Sequence, residues 1–568
     1  MKIFEMILKT MLSKLITIFL FMATFYSCGE KPDVIYKNAK IYTLNSTNDI
    51  ADAIAIKDGK ILEVGKGQDL ESKYKADDVV DLKGAVVLPG LIDTEGSIVE
   101  FSKNMNYIDL SNARSLKEIK DLVISRTGTA MGGETIGGYG WNELYLADSE
   151  LQLIDKQILD EIAPSHNVFL LNASMTTVWV NSRMLRTLNI DSNTKAPEGG
   201  EIQKFEDGEP SGLFFGEAVN IVRDNLPRPL RTDMMNLVER GVKEIVKYGI
   251  TEVHDRTVNK ESIEIFKQLI DSNRFPLRVY AVLSGEDSAL TGTFLRNGIE
   301  KDYKNKLTIR SISIDYDGAL DLQQAVMNDQ YNADPKVRMP YVTEADLDRI
   351  YMNANEKKFQ FRVKAVGDKA IGTVLSIIEK SGSAEGISER RTILEHCEFA
   401  GAGEISKIGG LKIIPSIRPD ISMTNLQIAG ELIRPENTMK IGLWNSLIKS
   451  AGMITSGSDF PYHQINPFVQ MYYLVTRQPI DTVNNSLANP NEKLSMIDAL
   501  KTYTVWPAYA SFQENEKGSL EKGKYADMIV ISKDIFNEQP KALLETKVLR
   551  TMIRGRIVFD NIFDPEKL

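Results

Sequence analysis

Residues 86–100 read VVLPGLIDTEGSIVE. The stretch is apolar as far as residue 92 and then changes abruptly to the polar run DTEGS. A buried strand that delivers polar side chains at its carboxyl end is the way in which many α/β enzymes present reactive groups. The pattern therefore predicts that Glu95 and Ser97 lie either at a working site or where such a site has been lost.

Similar strand candidates recur along the chain and alternate with amphipathic, helix-period segments such as DMMNLVERGVKEIVKYG and KAIGTVLSIIEKSG. The further strand candidates are HNVFLLNA, GITEVHD, PLRVYAVLSG, IRSISIDYDG, FQFRVKAVGD, RRTILEHCEF, LKIIPSIRP and GMITSGSDFP. Repeated strand–helix units predict a parallel sheet covered by helices. Their number, and the lack of G-x-G-x-x-G after an early strand, favour a closed α/β barrel of the (β/α)8 TIM type over residues 86–505.

The two ends of the chain have a different pattern. DVIYKNAKIYTLN and ADAIAIKDGKILEVG form a predicted strand pair, with a hairpin turn at Asp58 and Gly59. KGSLEKGKYADMIVISKD and KVLRTMIRGRIVFD supply strands near the other end. We expect residues 29–85 and 506–568 to combine into one small composite β-sandwich domain.

Size and charge limit the function classes. A chain of 568 residues is too long for one small core, so a large domain with an accessory domain is expected. The formal net charge is −10, and we find no clustered Lys and Arg of the kind that neutralise phosphates. Nucleic acid is therefore not an expected partner, whereas a small-molecule substrate or ligand is.

The first 28 residues resemble an export signal. Lys2, Lys9 and Lys14 precede the apolar run LITIFLFMATFYSC, which is short for a membrane span and ends at Cys28. The end of this run resembles the lipobox of bacterial lipoproteins, which implies lipidation of Cys28 and anchoring at the bacterial cell envelope. A plain secreted protein and an uncleaved anchor are the alternatives. Once Cys28 is modified, only Cys397 remains, so no internal disulfide is expected.

The order of the interior motifs carries a family resemblance. GGYGWNELYL, VWVNSRML, DGEPSGLFFGEA, YGITEVHD, DYDGAL, AVGDKAI, ILEHCEF and SGSDFPYHQINPF follow one another between the two flanks. In this order they resemble the amidohydrolase 3 branch of the amidohydrolase superfamily. The resemblance implies a barrel whose metal ions, usually zinc, activate a water that attacks a carbon–nitrogen bond outside peptides, while an aspartate shuttles the proton.

The residue types depart from the metal ligands that the resemblance implies. Glu95 and Ser97 stand in place of an H-x-H pair, Ser313 in place of a lysine that becomes carboxylated, and Lys364 in place of a histidine. His396 and Asp459 remain at the positions of a metal-binding histidine and the catalytic aspartate. Glu95, His396 and Asp459 are therefore the candidate metal ligands, and Asp459 and Lys364 the candidate catalytic residues.

Further residues could contact a substrate, and each also has a structural interpretation. Trp141, His254, Arg418 and His463 are the candidates; a packing tryptophan, inherited hydrogen bonds and a solvated loop histidine are the alternatives. We expect Lys364 to lie within ion-pair reach of Glu95 or Asp459, supplying the charge of a lost metal ion.

Three functions stay open at this point. The first is a hydrolase with a rebuilt site for one divalent metal, zinc being the expected ion. The second is a metal-free enzyme that uses Lys364 as base, electrophile or Schiff-base nucleophile. The third is a non-catalytic envelope lipoprotein that binds a small molecule. A homodimer is compatible with each of them, and the substrate is not readable from the residues.

Overall fold

The computed structural model describes residues 31–111, 113–173, 175–226, 230–332, 337–380, 384–480 and 489–562. The chain divides into a larger unit, Met1–Ile98 with Val242–Leu568, and a smaller one, Val99–Gly241. The predicted signal segment with Cys28 lies outside the described residues. Among the helices of the described ranges, none has the length and apolar character needed to cross a bilayer.

A nearly closed barrel of parallel strands forms the centre of the larger unit, as the repeated strand–helix pattern predicts. Barrel strands 1 to 8, numbered in chain order, are Leu91–Gly96, Ile250–Val258, Arg278–Ser284, Leu307–Asp315, Gln360–Ala365, Ile393–His396, Ile414–Ile417 and Thr455–Ser456. Glu300–Tyr303 adds an antiparallel neighbour to strand 4. The strands are buried almost throughout, because a parallel sheet is covered on both faces.

The chain just beyond strand 8 returns to strand 1 and completes the ring. The amide of Asp459 donates to the carbonyl of Glu95 at 2.8 Å, and the amide of Ser97 donates to the carbonyl of Phe460 at 2.9 Å. The Asp93 carboxylate accepts from both the amide and the hydroxyl of Ser458, at 3.0 and 2.6 Å. The carboxyl ends of the first and last strands therefore lie together.

Helices follow the barrel strands and have the expected amphipathic character. Those of the larger unit are Gly67–Lys73, Lys260–Asp271, Ser288–Asn297, Glu344–Glu356, Asp368–Lys380, Ala384–Arg390, Ala402–Gly410, Pro419–Leu432, Pro435–Thr438, Trp444–Ala451, Pro467–Thr476, Met496–Lys501 and Val505–Ala510, with 3-10 turns Val246–Tyr248, Pro490–Glu492 and Pro540–Glu545. Lys260–Asp271 illustrates why these segments are helical, since Asn259 caps its start and one face of isoleucine, phenylalanine and leucine is buried.

Strands from both chain ends pair in one sheet. Its order is Arg556–Asp560, Val548–Ile553, Met528–Ile531, Val86–Pro89, Lys40–Tyr42 and Ile50–Ala51. A second sheet has the order Lys60–Gly65, Ala53–Lys57, Val34–Lys37 and Asp78–Asp81. Apolar side chains of both sheets, among them Ile54, Val87 and Met528, share one core.

The opening stretch is therefore two strands rather than one. Val86–Pro89 pairs within the composite sheet, although we assigned residues 86–89 to the barrel, and Leu91–Gly96 is barrel strand 1. The break falls at Gly90, where a Cβ atom would lie 2.5 Å from the Thr251 side chain. An uninterrupted apolar run conceals this change of sheet.

The smaller unit has a sheet of its own. Its order is Gly200–Lys204, Pro210–Gly216, Thr177–Val180, Asn167–Asn172, Thr135–Trp141 and Ile108–Asp109. Helices that lie or end in this unit are Ile98–Asn104, Leu116–Thr127, Asp148–Leu151, Lys156–Ile162, Ser182–Thr187, Val219–Arg223 and Arg231–Ile245, with a 3-10 turn at Glu143–Tyr145. HNVFLLNA, a candidate for the parallel sheet of the barrel, belongs to this separate sheet.

Barrel closure predicts a strong effect of a small substitution at Gly457. A Cβ atom there would lie 2.5 Å from the amide nitrogen of Glu95, and backbone cannot move aside as a side chain can. We expect Gly457→Ala to lower the free energy of unfolding by about 1–3 kcal/mol, measured by urea denaturation. Gly430→Ala, in the helix Pro419–Leu432 with open space around the new methyl group, is the matched control and should not destabilise. Equal stability of the two variants would contradict the tight closure.

Candidate functional site

A polar cavity of about 330 Å³ opens at the carboxyl ends of the barrel strands. Its lining residues come from strands 1 to 5 and from the segment after strand 8, all within the larger unit. They are Glu95, Gly96, Ser97, Arg256, Ser284, Glu286, Ser313, Ile314, Asp315, Lys364, Asp459 and Tyr462. Of the residues singled out in the sequence, this lining includes Glu95, Ser97, Ser313, Lys364 and Asp459.

Glu95 is buried and in contact with two guanidinium groups. Arg256 Nη1 lies 2.5 Å from Oε1 of Glu95, and Nη2 of Arg418 contacts Oε2. Arg256 also pairs with Asp315 and lies 3.0 Å from Oε2 of Glu395. Both arginines keep their positive charge near neutral pH, since a guanidinium does not deprotonate there.

The cations and anions around Glu95 set each other's protonation. Burial lowers the pKa of Arg418 to about 10, although Asp459 and Asp93 oppose this. Burial would raise the pKa of Asp315, but the charges of Arg256 and Lys364 hold it below its ordinary value. Burial raises the pKa of Asp93 to about 7, against the hydrogen bonds from Ser458.

A row of charged and polar side chains continues from Glu95 down the barrel interior. Arg362, with no exposed surface, donates to Oε1 of Glu395 at 2.5 Å and faces Nδ1 of His254 at 3.2 Å. Nε2 of His254 lies 3.4 Å from Glu252, which contacts Lys517 of the C-terminal segment. In order, the row is Lys517, Glu252, His254, Arg362, Glu395, Arg256, Glu95 and Arg418.

His396 has the orientation of a group that presents one nitrogen to the site. Its Nδ1 lies 2.9 Å from Glu398, whose other oxygen accepts from Asn425 at 2.5 Å. Nε2 is buried, has no hydrogen-bond partner among the described residues and lies 3.8 Å from Oε1 of Glu95. The backbone of His396 and of Asp459 is left-handed, with φ of 68° and 57°, a strained conformation that is common at functional sites.

A family model described as the amidohydrolase family matches residues 78–559. The chain belongs to the amidohydrolase family. The match spans the barrel, the smaller unit and those strands of the two flanking sheets that follow residue 77, in agreement with the resemblance of the motifs.

Relatives in this family match over nearly the whole chain. Protein LONG AFTER FAR-RED 3 from Arabidopsis thaliana is 27% identical, over 94% of this chain and 92% of its own. Putative amidohydrolase YtcJ from Bacillus subtilis is 25% identical, over 93% and 99%. The N-substituted formamide deformylase of Arthrobacter pascens is 23% identical, over 93% and 98%.

Solved structures share the fold. An uncharacterized metal-dependent hydrolase from Pyrococcus horikoshii superposes with a TM-score of 0.75 at 21% identity, over 89% of this chain and 99% of that one. A hydrolase of the same description from Pyrococcus furiosus gives a TM-score of 0.72 at 21% identity, over 89% and 100%.

The family implies a metal ion. Three residues at the carboxyl ends of the barrel strands, the barrel mouth, lie close enough together to bind one. Glu95, His396 and Asp459 each bring a ligand atom to within 4.8 Å of the others. His396 also suits the role, because metal-bound histidines commonly donate their other nitrogen to a carboxylate, as Nδ1 does toward Glu398.

The surroundings of Glu95 do not fit a resident metal. Oε1 of Glu95 is already paired with Arg256 at 2.5 Å, and Oε2 lies against Nη2 of Arg418, although these two atoms form no hydrogen bond. A metal ion on Glu95 would leave a buried cation without its partner, which costs about 3–5 kcal/mol. Without Glu95 the group falls to two ligands, His396 and Asp459, whereas catalytic zinc sites use three protein ligands.

Lys364 does not make the ion pair that we expected. Among the described residues, no carboxylate oxygen lies within 4.0 Å of its Nζ atom, and Glu95 pairs with Arg256 and Arg418 instead. The predicted replacement of a lost metal charge therefore involves two arginines. Arg418, proposed as a substrate contact, is fully buried beside Glu95 and does not line the cavity.

Three other candidates are not among the residues that line the cavity. His254 is fully buried inside the row of charges, and Trp141 is 2% exposed in the core of the smaller unit, where its indole donates to the Leu170 carbonyl at 3.1 Å. His463 is partly exposed and lies 3.6 Å from Asp420. Burial therefore corrects the first two interpretations, since His254 and Trp141 are packing and positioning residues.

Several residues that form the charged contacts of the site were not predicted from the sequence, chiefly Arg256, Arg362, Glu395 and Glu398. One signal was present. Side chains two residues apart on a strand share a face, so Glu252, His254 and Arg256 form a polar stripe along strand 2 in ITEVHDR. A polar stripe on a buried strand predicts a charged barrel interior.

The position of His254 predicts a loss of stability in acid. Nδ1 faces the Arg362 guanidinium, which only donates, so His254 is neutral; burial first and then Arg362 hold its pKa well below 6.5. The unfolded chain therefore binds a proton at His254 that the folded chain does not, and stability falls as pH drops below about 6.5, by up to about 1.4 kcal/mol per pH unit.

We expect His254→Gln to reduce this slope, measured by urea denaturation between about pH 7 and pH 5. His463→Gln, at a partly exposed loop position, is the matched control and should keep the wild-type slope. An unchanged slope in His254→Gln would show that the acid sensitivity arises elsewhere.

Proposed function

We propose that this protein is a small-molecule-binding member of a hydrolase lineage, and that its barrel mouth works without a resident metal. The lineage acts on carbon–nitrogen bonds outside peptides, as the name of the formamide deformylase relative illustrates. The observation that supports the proposal is the contact of Glu95 with Arg256 and Arg418. Two fixed guanidinium charges stand where a metal-dependent hydrolase would need an open carboxylate.

The cavity itself supports a binding role. It is lined by charged and hydroxyl side chains on a rigid ring of strand ends, and its volume is in the range of small-ligand sites. A non-catalytic function also agrees with Ser97 and Ser313, neither of which is a suitable metal ligand at its position.

A hydrolase with a single metal, for which zinc is the expected ion, is the second candidate. The observation that favours it is the buried Nε2 of His396, oriented by Glu398 and without a hydrogen-bond partner in the described part of the chain. In that case Glu95, His396 and Asp459 would hold the ion, and the ion would supply an activated water. Asp459 would then accept the proton.

Metal analysis separates the two candidates. We expect the purified protein, dialysed against trace zinc, to hold far less than one ion per chain by inductively coupled plasma mass spectrometry. Arg418→Gln releases Oε2 of Glu95 and should increase zinc uptake, because the freed carboxylate then completes a set of three ligands.

The matched control is Arg477→Gln. Arg477 is also buried with a pKa lowered to about 10 by burial, but its guanidinium donates to the carbonyl of Gly442, away from the mouth. It should leave zinc uptake unchanged. About one tight ion in the unmodified protein, lost in His396→Ala, would overturn the metal-free proposal and establish the second candidate.

We also propose that residues 1–28 direct export and that Cys28 carries a lipid anchor at the bacterial envelope. The support is the sequence alone: lysines, an apolar run and a terminal cysteine. In cells fed a labelled fatty acid, the protein should become labelled and Cys28→Ser should not, with Cys397→Ser as the matched control that keeps the label. Equal labelling of Cys28→Ser would contradict the anchor.

A further inference from the structure

The charges that line the cavity are not all paired with one another. Glu95 and Asp315 are both held by Arg256, and Glu95 also contacts Arg418. Glu95 and Asp315 thus already have a guanidinium partner within the protein, so a ligand gains little by facing them. The question is which lining charges are left for a ligand.

Lys364 is one of them. It lies on barrel strand 5, lines the cavity and is partly buried, and its carbonyl accepts from the amide of Tyr316 at 3.0 Å. Within the described residues its ammonium group makes no hydrogen bond and has no carboxylate oxygen within 4.0 Å, and its charge acts on Asp315 only from a greater distance. A partly buried cation facing a cavity is stabilised by an anion that enters that cavity.

Asp459 is the other. Its carboxylate lines the same cavity and is partly buried. No cation of the described chain lies within 4.0 Å of it, and its charge acts on Arg418 and Arg256 from a greater distance. Its position is fixed, since its amide donates to the carbonyl of Glu95 and its backbone is held at a φ of 57°. Glu286 adds a second negative charge at an exposed lining position.

We propose that the mouth binds a small zwitterion, a molecule with a protonated amine for Asp459 and a carboxylate for Lys364. This inference rests on the proposed metal-free mouth, because a bound metal would engage Asp459. A simple anion would pair with Lys364 and leave Asp459 without a partner. A simple cation would pair with Asp459 and leave Lys364 without one. A zwitterion satisfies both and adds no net charge to the mouth. The cavity of about 330 Å³ suits an amino acid or a molecule of similar size.

The test is a binding series by isothermal titration calorimetry on the purified protein. The probes are ω-amino acids from glycine through γ-aminobutyrate to ε-aminocaproate, each compared with the alkylamine and the alkanoate of the same length. We expect one chain length to bind at least about tenfold more tightly than both of its single-charge analogues. No binding of any ω-amino acid, or binding no tighter than that of the analogues, would overturn the proposal.

Two variants test which residue binds which charge of the ligand. Lys364→Met should make the best zwitterion bind no more tightly than its amine analogue, and Asp459→Asn should reduce it to the level of the alkanoate. Lys369→Met and Asp348→Asn, at exposed positions, are matched controls that should keep the full preference. A preference that survives Lys364→Met and Asp459→Asn would show that the ligand binds elsewhere.

The same titration separates this inference from the proposed function. Zwitterion binding that a chelator does not change, in protein found to hold far less than one metal ion per chain, supports both. If the chelator abolishes the preference for the zwitterion, both the metal-free mouth and the direct pairing of Asp459 with the ligand amine are overturned. Stoichiometric metal with a chelator-resistant preference would overturn the proposed function and leave the ligand class standing.

Discussion

One buried carboxylate held by two guanidinium groups sets the arrangement of the barrel mouth. Glu95 sits at the carboxyl end of the first strand, and Arg256 and Arg418 reach it from strand 2 and from just beyond strand 7. An unpaired charge would be too costly at this depth, so the three side chains have to remain together. Under the proposed function this contact keeps Glu95 from binding a metal, and Lys364 and Asp459 are lining charges with no ion-pair partner within 4.0 Å among the described residues.

Backbone hydrogen bonds hold the same place from the other side. The amide of Asp459 is tied to the carbonyl of Glu95, so the carboxylate of the last segment and the carboxylate of the first strand are fixed relative to each other. Gly457 permits this approach because it has no side chain to meet the Glu95 backbone. The contacts that close the barrel therefore also fix the geometry of the site.

The sequence was informative wherever the signal was local. The strand–helix alternation predicted the barrel, and the polar run DTEGS located Glu95 and Ser97 at the cavity edge. The flank patterns predicted that strands from both chain ends would meet, and they pair in one sheet. The predictions that failed depended on contacts between residues distant in sequence. Nothing near Arg418 in IPSIRP reveals that it contacts Glu95. A single apolar run likewise does not show that Val86–Pro89 and Leu91–Gly96 enter different sheets. Trp141 was misjudged because a tryptophan in a pocket and one in a core have the same sequence signature.

The row of charges from Lys517 to Arg418 has a consequence for how this protein can change. Each interior member of the row contacts neighbours on both sides, so replacing one of the charged members by a neutral residue leaves an opposite charge buried without a partner. Substitutions along the row are therefore strongly epistatic. A histidine at position 95, the residue type that the family resemblance implies there, would leave Arg256 and Arg418 without their carboxylate and would be tolerated only together with changes at those arginines.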